Sequence, residues 1–234
     1  MKRDTYVLDD LELKLGVIFS DKDILKTAVT HSSYANGNKN IKFNERLEFL
    51  GDAVLQICIS EYLFLNYTNK AEGELTRKRA LIVCENSLYE VAKNLGVGKY
   101  IRMSKGEELT GGRERVSILA DCMEAIIAAI YIDKGIEQAR VFVMSNFKNI
   151  IEKAMLNKII LDYKTKLQEI AQKNGYVDIE YNLLKYDGPP HRRKFYTQVL
   201  VNEKMLGNGT GYSKKEAEQN AARCALDNME EEDE

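Results

Sequence analysis

The sequence predicts an all-α domain followed by a small α+β module of order α-β-β-β-α. Three observations carry this expectation. From Leu11 to about Ile160, apolar residues recur at three- and four-residue spacing, the period of helices with one buried face. Beyond Asp162 the pattern becomes short stretches rich in β-branched and aromatic residues, set between turn-forming pairs and flanked by two helical segments. The chain has 234 residues, 44% hydrophobic and 30% charged, with only 2 prolines; that suffices for one or two cored domains and is unlike a disordered or collagenous chain.

Within the helical part, Leu47, Leu50, Val54, Leu55, Cys58, Ile59 and Leu63 define one core helix, and Leu119, Met123, Ile126, Ile127, Ile130 and Tyr131 define another. Breaks are expected at Asn36-Gly37-Asn38, at Gly96 to Gly98, and from Gly106 through Gly111-Gly112. Thr76, before Arg77-Lys78-Arg79, is expected to cap a helix with a basic polar side. The connection from Lys153 to Ile160 has no Gly or Pro, which leaves continuation of the helix open.

In the second part, a helix over Lys164 to Lys173 should stop at Asn174-Gly175, because that pair favours positive φ. Strands are expected over Val177 to Lys185, Lys194 to Val201 and Lys204 to Tyr212, with turns at Asp187-Gly188-Pro189-Pro190 and Asn202-Glu203. Ser213 and Glu216 form a capping box for the last helix.

Composition narrows the function classes. Met1 to Asp10 are charged, and no uninterrupted apolar stretch of about 18 residues follows, so neither secretion nor a membrane span is expected. Cys58, Cys84, Cys122 and Cys224 lie far apart, and there are only 2 histidines, which argues against structural zinc and for reduced, mostly buried thiols in a cytoplasmic protein. The formal net charge of -2 hides an uneven distribution. Residues 153–226 hold 13 basic and 8 acidic groups, a balance of +5, and a short acidic tail ends the chain.

The densest chemistry is Asn44-Glu45-Arg46-Leu47-Glu48-Phe49-Leu50-Gly51-Asp52. Glu48 and Asp52 are one helical turn apart on the same face, and Glu45 is three residues before Glu48. Asp121 and Glu124 form a second pair inside Ile118 to Ile127, a segment with no Lys or Arg. A buried carboxylate is costly unless paired, hydrogen-bonded or bound to metal. Two helices each carrying such a pair suit Mg2+, a hard cation that takes oxygen ligands. Spacing alone equally allows ion pairs with distant residues such as Arg77, Arg79 or Arg113.

Over nearly its full length the sequence resembles bacterial ribonuclease III. The resemblance rests on the nine-residue block from Asn44 to Asp52, on Glu72-Gly73-Glu74-Leu75-Thr76, on Gly112-Arg113-Glu114-Arg115-Val116-Ser117-Ile118-Leu119-Ala120-Asp121-Cys122-Met123-Glu124-Ala125, and on the C-terminal module. It implies an all-α endonuclease domain over residues 6–153 and an α+β double-stranded-RNA-binding domain over residues 161–230. Glu48, Asp52, Asp121 and Glu124 match the family's catalytic and metal-coordinating acids, with Glu124 expected to be the most sensitive. Glu45 and Glu72 match secondary acids that assist at the site or place the substrate. Cys122-Met123 replaces the more usual Thr-Phe, which reads as a packing variation.

The family further implies Mg2+, with Mn2+ as a possible substitute, and a homodimer with two sites. Its products carry 5'-phosphate and 3'-hydroxyl ends with two-nucleotide 3' overhangs. Expected substrates are duplex RNA and hairpin transcripts, including ribosomal, messenger and transfer RNA precursors. Phe49-Leu50 fits either a dimer surface or core, and His31 is expected to be a structural hydrogen-bonding residue. In the C-terminal module Gln168 and Glu169 match first-helix RNA contacts, Gly188-Pro189-Pro190-His191 matches a groove-entering loop, and Lys214-Lys215 matches a phosphate clamp at a helix N-terminus. The rivals are a non-cleaving double-stranded-RNA-binding regulator and a structural RNA-associated protein.

Overall fold

The computed structural model describes residues 2–38, 40–156, 162–173, 175, 178–189 and 193–231. The chain divides into two compact units, Met1–Ile159 and Ile160–Glu234. In the first, the helices are α1 (Lys2–Leu15), α2 (Lys22–Ala28), α3 (Ser32–Ala35), α4 (Glu45–Asn66), α5 (Glu72–Ile82), α6 (Glu85–Leu95), α7 (Lys105–Leu109) and α8 (Val116–Met155). Helix α1 begins earlier than the apolar period indicated. The expected breaks coincide with left-handed residues: Asn36 (φ 42) ends α3, Gly96 (φ 67) ends α6, and Gly111 (φ 82) follows α7. Gly106 lies inside the short α7 rather than in a break.

Helices α4 and α8 form the centre of this unit. Val54, Leu55, Cys58, Ile59 and Leu63 from α4 meet Leu119, Met123, Ile126, Ile127 and Ile130 from α8 in one buried cluster. Their backbones come close at Gly51, where a Cβ would lie 1.9 Å from the Glu124 carbonyl oxygen. Only glycine permits that distance, so Gly51 fixes the crossing of the two helices. Gly135 (φ 83) breaks the helical backbone within α8.

Two local expectations change. Thr76 is inside α5 and is not a cap; its hydroxyl donates to Glu72 Oε1 one turn back at 2.8 Å, the i−4 position open to a mid-helix threonine. Cys58 and Cys122 are buried as expected, whereas Cys84 and Cys224 are only partly covered.

The second unit contains α9 (Tyr163–Lys173), β1 (Ile179–Asp187), β2 (Lys194–Val201), β3 (Lys204–Gly211) and α10 (Lys214–Glu231). The strands form one antiparallel sheet in the order β1-β2-β3. The side chains of Val199 and Val201 pack with Leu167, Ala171, Ala221 and Ala225 from the two helices. Alternate positions of β3 are Gly207, Gly209 and Gly211, and a Cβ at any of them would collide with α10 near Ala217, Ala221 or Ala225. Glycines facing alanines thus let the helix lie directly on the strand.

Side-chain caps set the ends of both helices. Ser213 Oγ accepts from Glu216 N at 3.1 Å, and Glu216 reaches back to Tyr212 N at 2.7 Å, one residue beyond the usual capping-box partner. Gln219 of α10 accepts from Tyr163 N at 2.7 Å and donates to Asp162 at 2.8 Å, which ties the start of α9 to α10.

Replacing Gly51 by Ala is expected to destabilise the protein by on the order of 3 kcal/mol through forced overpacking, read from denaturant unfolding. Gly73→Ala, in α5 with nothing within 4 Å of the new Cβ, is expected to be neutral or stabilising by up to about 1 kcal/mol.

Candidate functional site

The approach at Gly51 brings the two acidic pairs together. Glu48 and Asp52 line one face of α4, and Asp121 and Glu124 occupy the first turns of α8; all four are partly covered. Burial pushes Glu124 up to about 8, and the charges of Asp52, Glu48 and Asp121 add to the shift. Glu48 is also raised, by burial and then by Asp121 and Glu45. Asp121 is raised by burial and by Glu85, with His31 opposing.

Distant basic residues do not neutralise this quartet. Arg79 donates to Ser60 Oγ at 2.9 Å, while Arg113 pairs with Glu108 and donates to the carbonyls of Gly98 and Ile101. Among the described residues, none of the four acids makes an ion pair with Lys or Arg. Asp52 has a neutral side-chain partner: Gln56 Nε2 donates to both of its oxygens at 2.9 Å. Among those same residues, no three acid, His or Cys side chains form a ready cation cage. The donor set is nonetheless all oxygen, negatively charged and short of positive charge, which fits a hard divalent cation that keeps several of its waters.

The other expected acids lie at the margins. Glu45 is exposed in the first turn of α4 and acts on Glu48 through its charge. Glu72 opens α5 and lines a cavity of about 960 Å³ with Ile57, Phe64, Leu75 and Arg79 rather than joining the quartet. His31 caps α3, its Nδ1 2.8 Å from Ser33 Oγ, as expected of a structural hydrogen-bonding residue. Phe49 and Leu50 divide: Leu50 packs against the core, while Phe49 is 83% exposed and begins an outward apolar stripe with Ile57 and Phe64. Sequence reading missed Gln56 and Glu85, both of which resemble ordinary polar helix positions.

In the second unit, Gln168 and Lys215 line a single cleft of about 600 Å³ together with Lys164, Tyr181 and Gln219. Glu169 and Lys214 are exposed nearby in sequence but do not line it. His191 lies outside the described residues. Two residues on in sequence, Arg193 stacks 4.6 Å above the Tyr186 ring, which in turn leans on Phe195.

A family profile described as Ribonuclease-III-like matches residues 21–151, and one described as Double-stranded RNA binding motif matches residues 163–229. The chain belongs to the ribonuclease III family. A Ribonuclease 3 of Clostridium kluyveri is 65% identical over 225 residues, 96% of this chain and 92% of that protein. A Ribonuclease 3 of Clostridium tetani is 65% identical over 223 residues, 95% of each. Among solved structures, the nuclease domain of a Campylobacter jejuni ribonuclease III is 44% identical with a TM-score of 0.56, and covers 63% of this chain and 97% of that one. The Campylobacter domain is structurally flexible in a region involved in its dimer formation. As a ribonuclease III family member, the chain is an endoribonuclease directed at double-stranded RNA, with a helical nuclease unit and an RNA-binding module. No described helix is long and apolar enough to cross a membrane.

The raised Glu124 has a stability consequence. Its folded-state value of about 8 exceeds the ordinary 4.5, so its contribution is present below that ordinary value and is lost as pH rises through about 8. Metal-free protein is therefore expected to melt at a lower temperature at pH 8.5 than at pH 6, with a smaller fall in Glu124→Gln. Equal falls in scanning calorimetry would remove Glu124 as the source.

Proposed function

We propose that the nuclease unit hydrolyses phosphodiester bonds of duplex RNA with Mg2+ held by Glu48, Asp52, Asp121 and Glu124, Mn2+ being able to replace it. The observation that carries this is the gathering of four carboxylates at Gly51, none of them paired with Lys or Arg among the described residues. When bound, the ion supplies an activated water and offsets charge in the transition state and on the leaving 3'-oxygen. The protein's part is to orient the donors. Asp52 and Glu48 present oxygens from one helix face, and Asp121 and Glu124 from the other. Positive charge arriving at the site favours loss of the Glu124 proton, which couples the competence of the site to cation binding. Glu45 adds negative charge beside Glu48, and Glu72 acts in substrate placement.

The reading extends to assembly and products. The apolar stripe of Phe49, Ile57 and Phe64 on α4 supports a homodimer surface, since so much exposed hydrophobic area beside a polar site marks a contact face. Two sites in one dimer would cut opposite strands and leave 5'-phosphate and 3'-hydroxyl ends with two-nucleotide 3' overhangs. Residues 6–153 perform the cut and residues 161–230 supply affinity, through Gln168, Glu169, His191, Lys214 and Lys215. Lys214 and Lys215 at the start of α10 combine ammonium groups with free N–H groups and the helix dipole, which suits a phosphate. Ribosomal RNA precursors and structured messenger and transfer RNA transcripts in the cytoplasm are the substrates this chemistry serves.

Cleavage of an end-labelled RNA duplex tests the proposal. Glu124→Gln is expected to lower the cleavage rate by about a hundredfold or more while leaving duplex binding intact. Wild-type protein that binds the duplex yet never cuts it with Mg2+ or Mn2+ would turn the reading to a non-cleaving regulator. Separately, replacing either Lys214 or Lys215 by Ala is expected to weaken duplex binding and reduce the slope of log affinity against log salt by about one unit each.

A further inference from the structure

We propose that Gln56 is a positioning residue that holds the Asp52 carboxylate in its cation-facing orientation without neutralising it. The inference rests on the reading that Asp52 holds a divalent cation. Gln56 lies one helical turn after Asp52 on α4, and its Nε2 is 2.9 Å from each of the two carboxylate oxygens. Both side chains are partly covered. A carboxylate without such a partner rotates between rotamers, and fixing it on metal binding costs conformational entropy.

The chemistry of the donor matters as much as its place. An ammonium or guanidinium at this position would pair with Asp52 and compete with the cation for it. An amide is neutral, so it orients the group and leaves its charge in place. Two N–H contacts also leave lone pairs on both oxygens for a metal. One cation of the same unit is engaged elsewhere: Arg79 of α5 donates to Ser60 Oγ at 2.9 Å, and that hydroxyl donates to the backbone carbonyl of Gln56 at 2.6 Å. Glu48, Asp52, Gln56 and Ser60 thus follow one another at four-residue steps. Arg79 braces the far end of the row, and its charge meets a hydroxyl there instead of a carboxylate.

Hydrogen-bond partners that orient metal ligands are commonly worth about tenfold or more in metal affinity. The test is Mn2+ binding by the full chain without RNA, followed by loss of the free-ion electron paramagnetic resonance signal. It compares wild type, Gln56→Leu, Asp52→Asn and the double variant. Gln56→Leu is expected to bind Mn2+ about tenfold more weakly, with an unchanged unfolding temperature in EDTA and no further loss in the Asp52→Asn background. Gln56→Met, which keeps the length and lacks the donor, must reproduce the loss, and it decides the matter if the leucine variant misfolds. Wild-type affinity in these variants, or a loss of the same size when Asp52 is already Asn, would overturn the proposal. Failure of wild type itself to bind Mn2+ would instead bring down the metal reading on which the proposal rests.

Discussion

The close approach of α4 and α8 at Gly51 is the constraint on which the rest of the nuclease unit depends. With the Glu124 carbonyl only 1.9 Å from where a Cβ would be, the helices cross at a point that a side chain would abolish. On one side of that crossing the packing is apolar and complete, with Leu55, Ile59, Met123 and Ile127 fully buried. On the other side the same geometry faces Glu48 and Asp52 toward Asp121 and Glu124. The core and the acidic site are therefore two consequences of one helix crossing. A change that relaxed the crossing would disperse the acids and loosen the core together.

The site is costly to the folded chain. Burial and the charges of the neighbouring carboxylates raise Glu124 to about 8, and among the described residues no Lys or Arg pairs with any of the four. Strain of this kind is common where function needs charge held ready for a partner. Two of the protein's arginines are engaged elsewhere: Arg79 by Ser60, and Arg113 by Glu108 and two backbone carbonyls. The RNA-binding module follows different packing logic. Its glycine-lined β3 lets α10 lie close, and the Asp162–Gln219 contacts fix the start of α9 to that helix. Gln168 and Lys215 are held on one cleft as a result.

Much of this was legible in the sequence because period and spacing are local. Apolar repeats identified α4 and α8, and the i,i+4 and i,i+3 positions of the four acids placed each pair on one face. The absence of Lys and Arg between Ile118 and Ile127 already raised the question of what balances Asp121 and Glu124. What escaped depends on contacts between distant segments. Gly51 reads as a small residue in a motif until α8 is laid against it. Gln56 reads as a surface position until its amide is seen on Asp52. Thr76 looked like a cap because it precedes a basic run, yet the helix had already begun at Glu72. Phe49 and Leu50 are adjacent and equally apolar, and only the helix's orientation turns one outward and the other to the core.

Completion of the quartet at the Gly51 crossing by a divalent cation is the proposal on which the functional reading rests. The most direct measurement is the thermal unfolding of wild type and Glu124→Gln at pH 8, each with millimolar Mg2+ and with EDTA. Mg2+ is expected to raise the unfolding temperature of wild type clearly and that of the variant much less, because the cation relieves a repulsion that the variant has lost in part. An unfolding temperature that does not respond to Mg2+ in wild type, or responds equally in both, would contradict it.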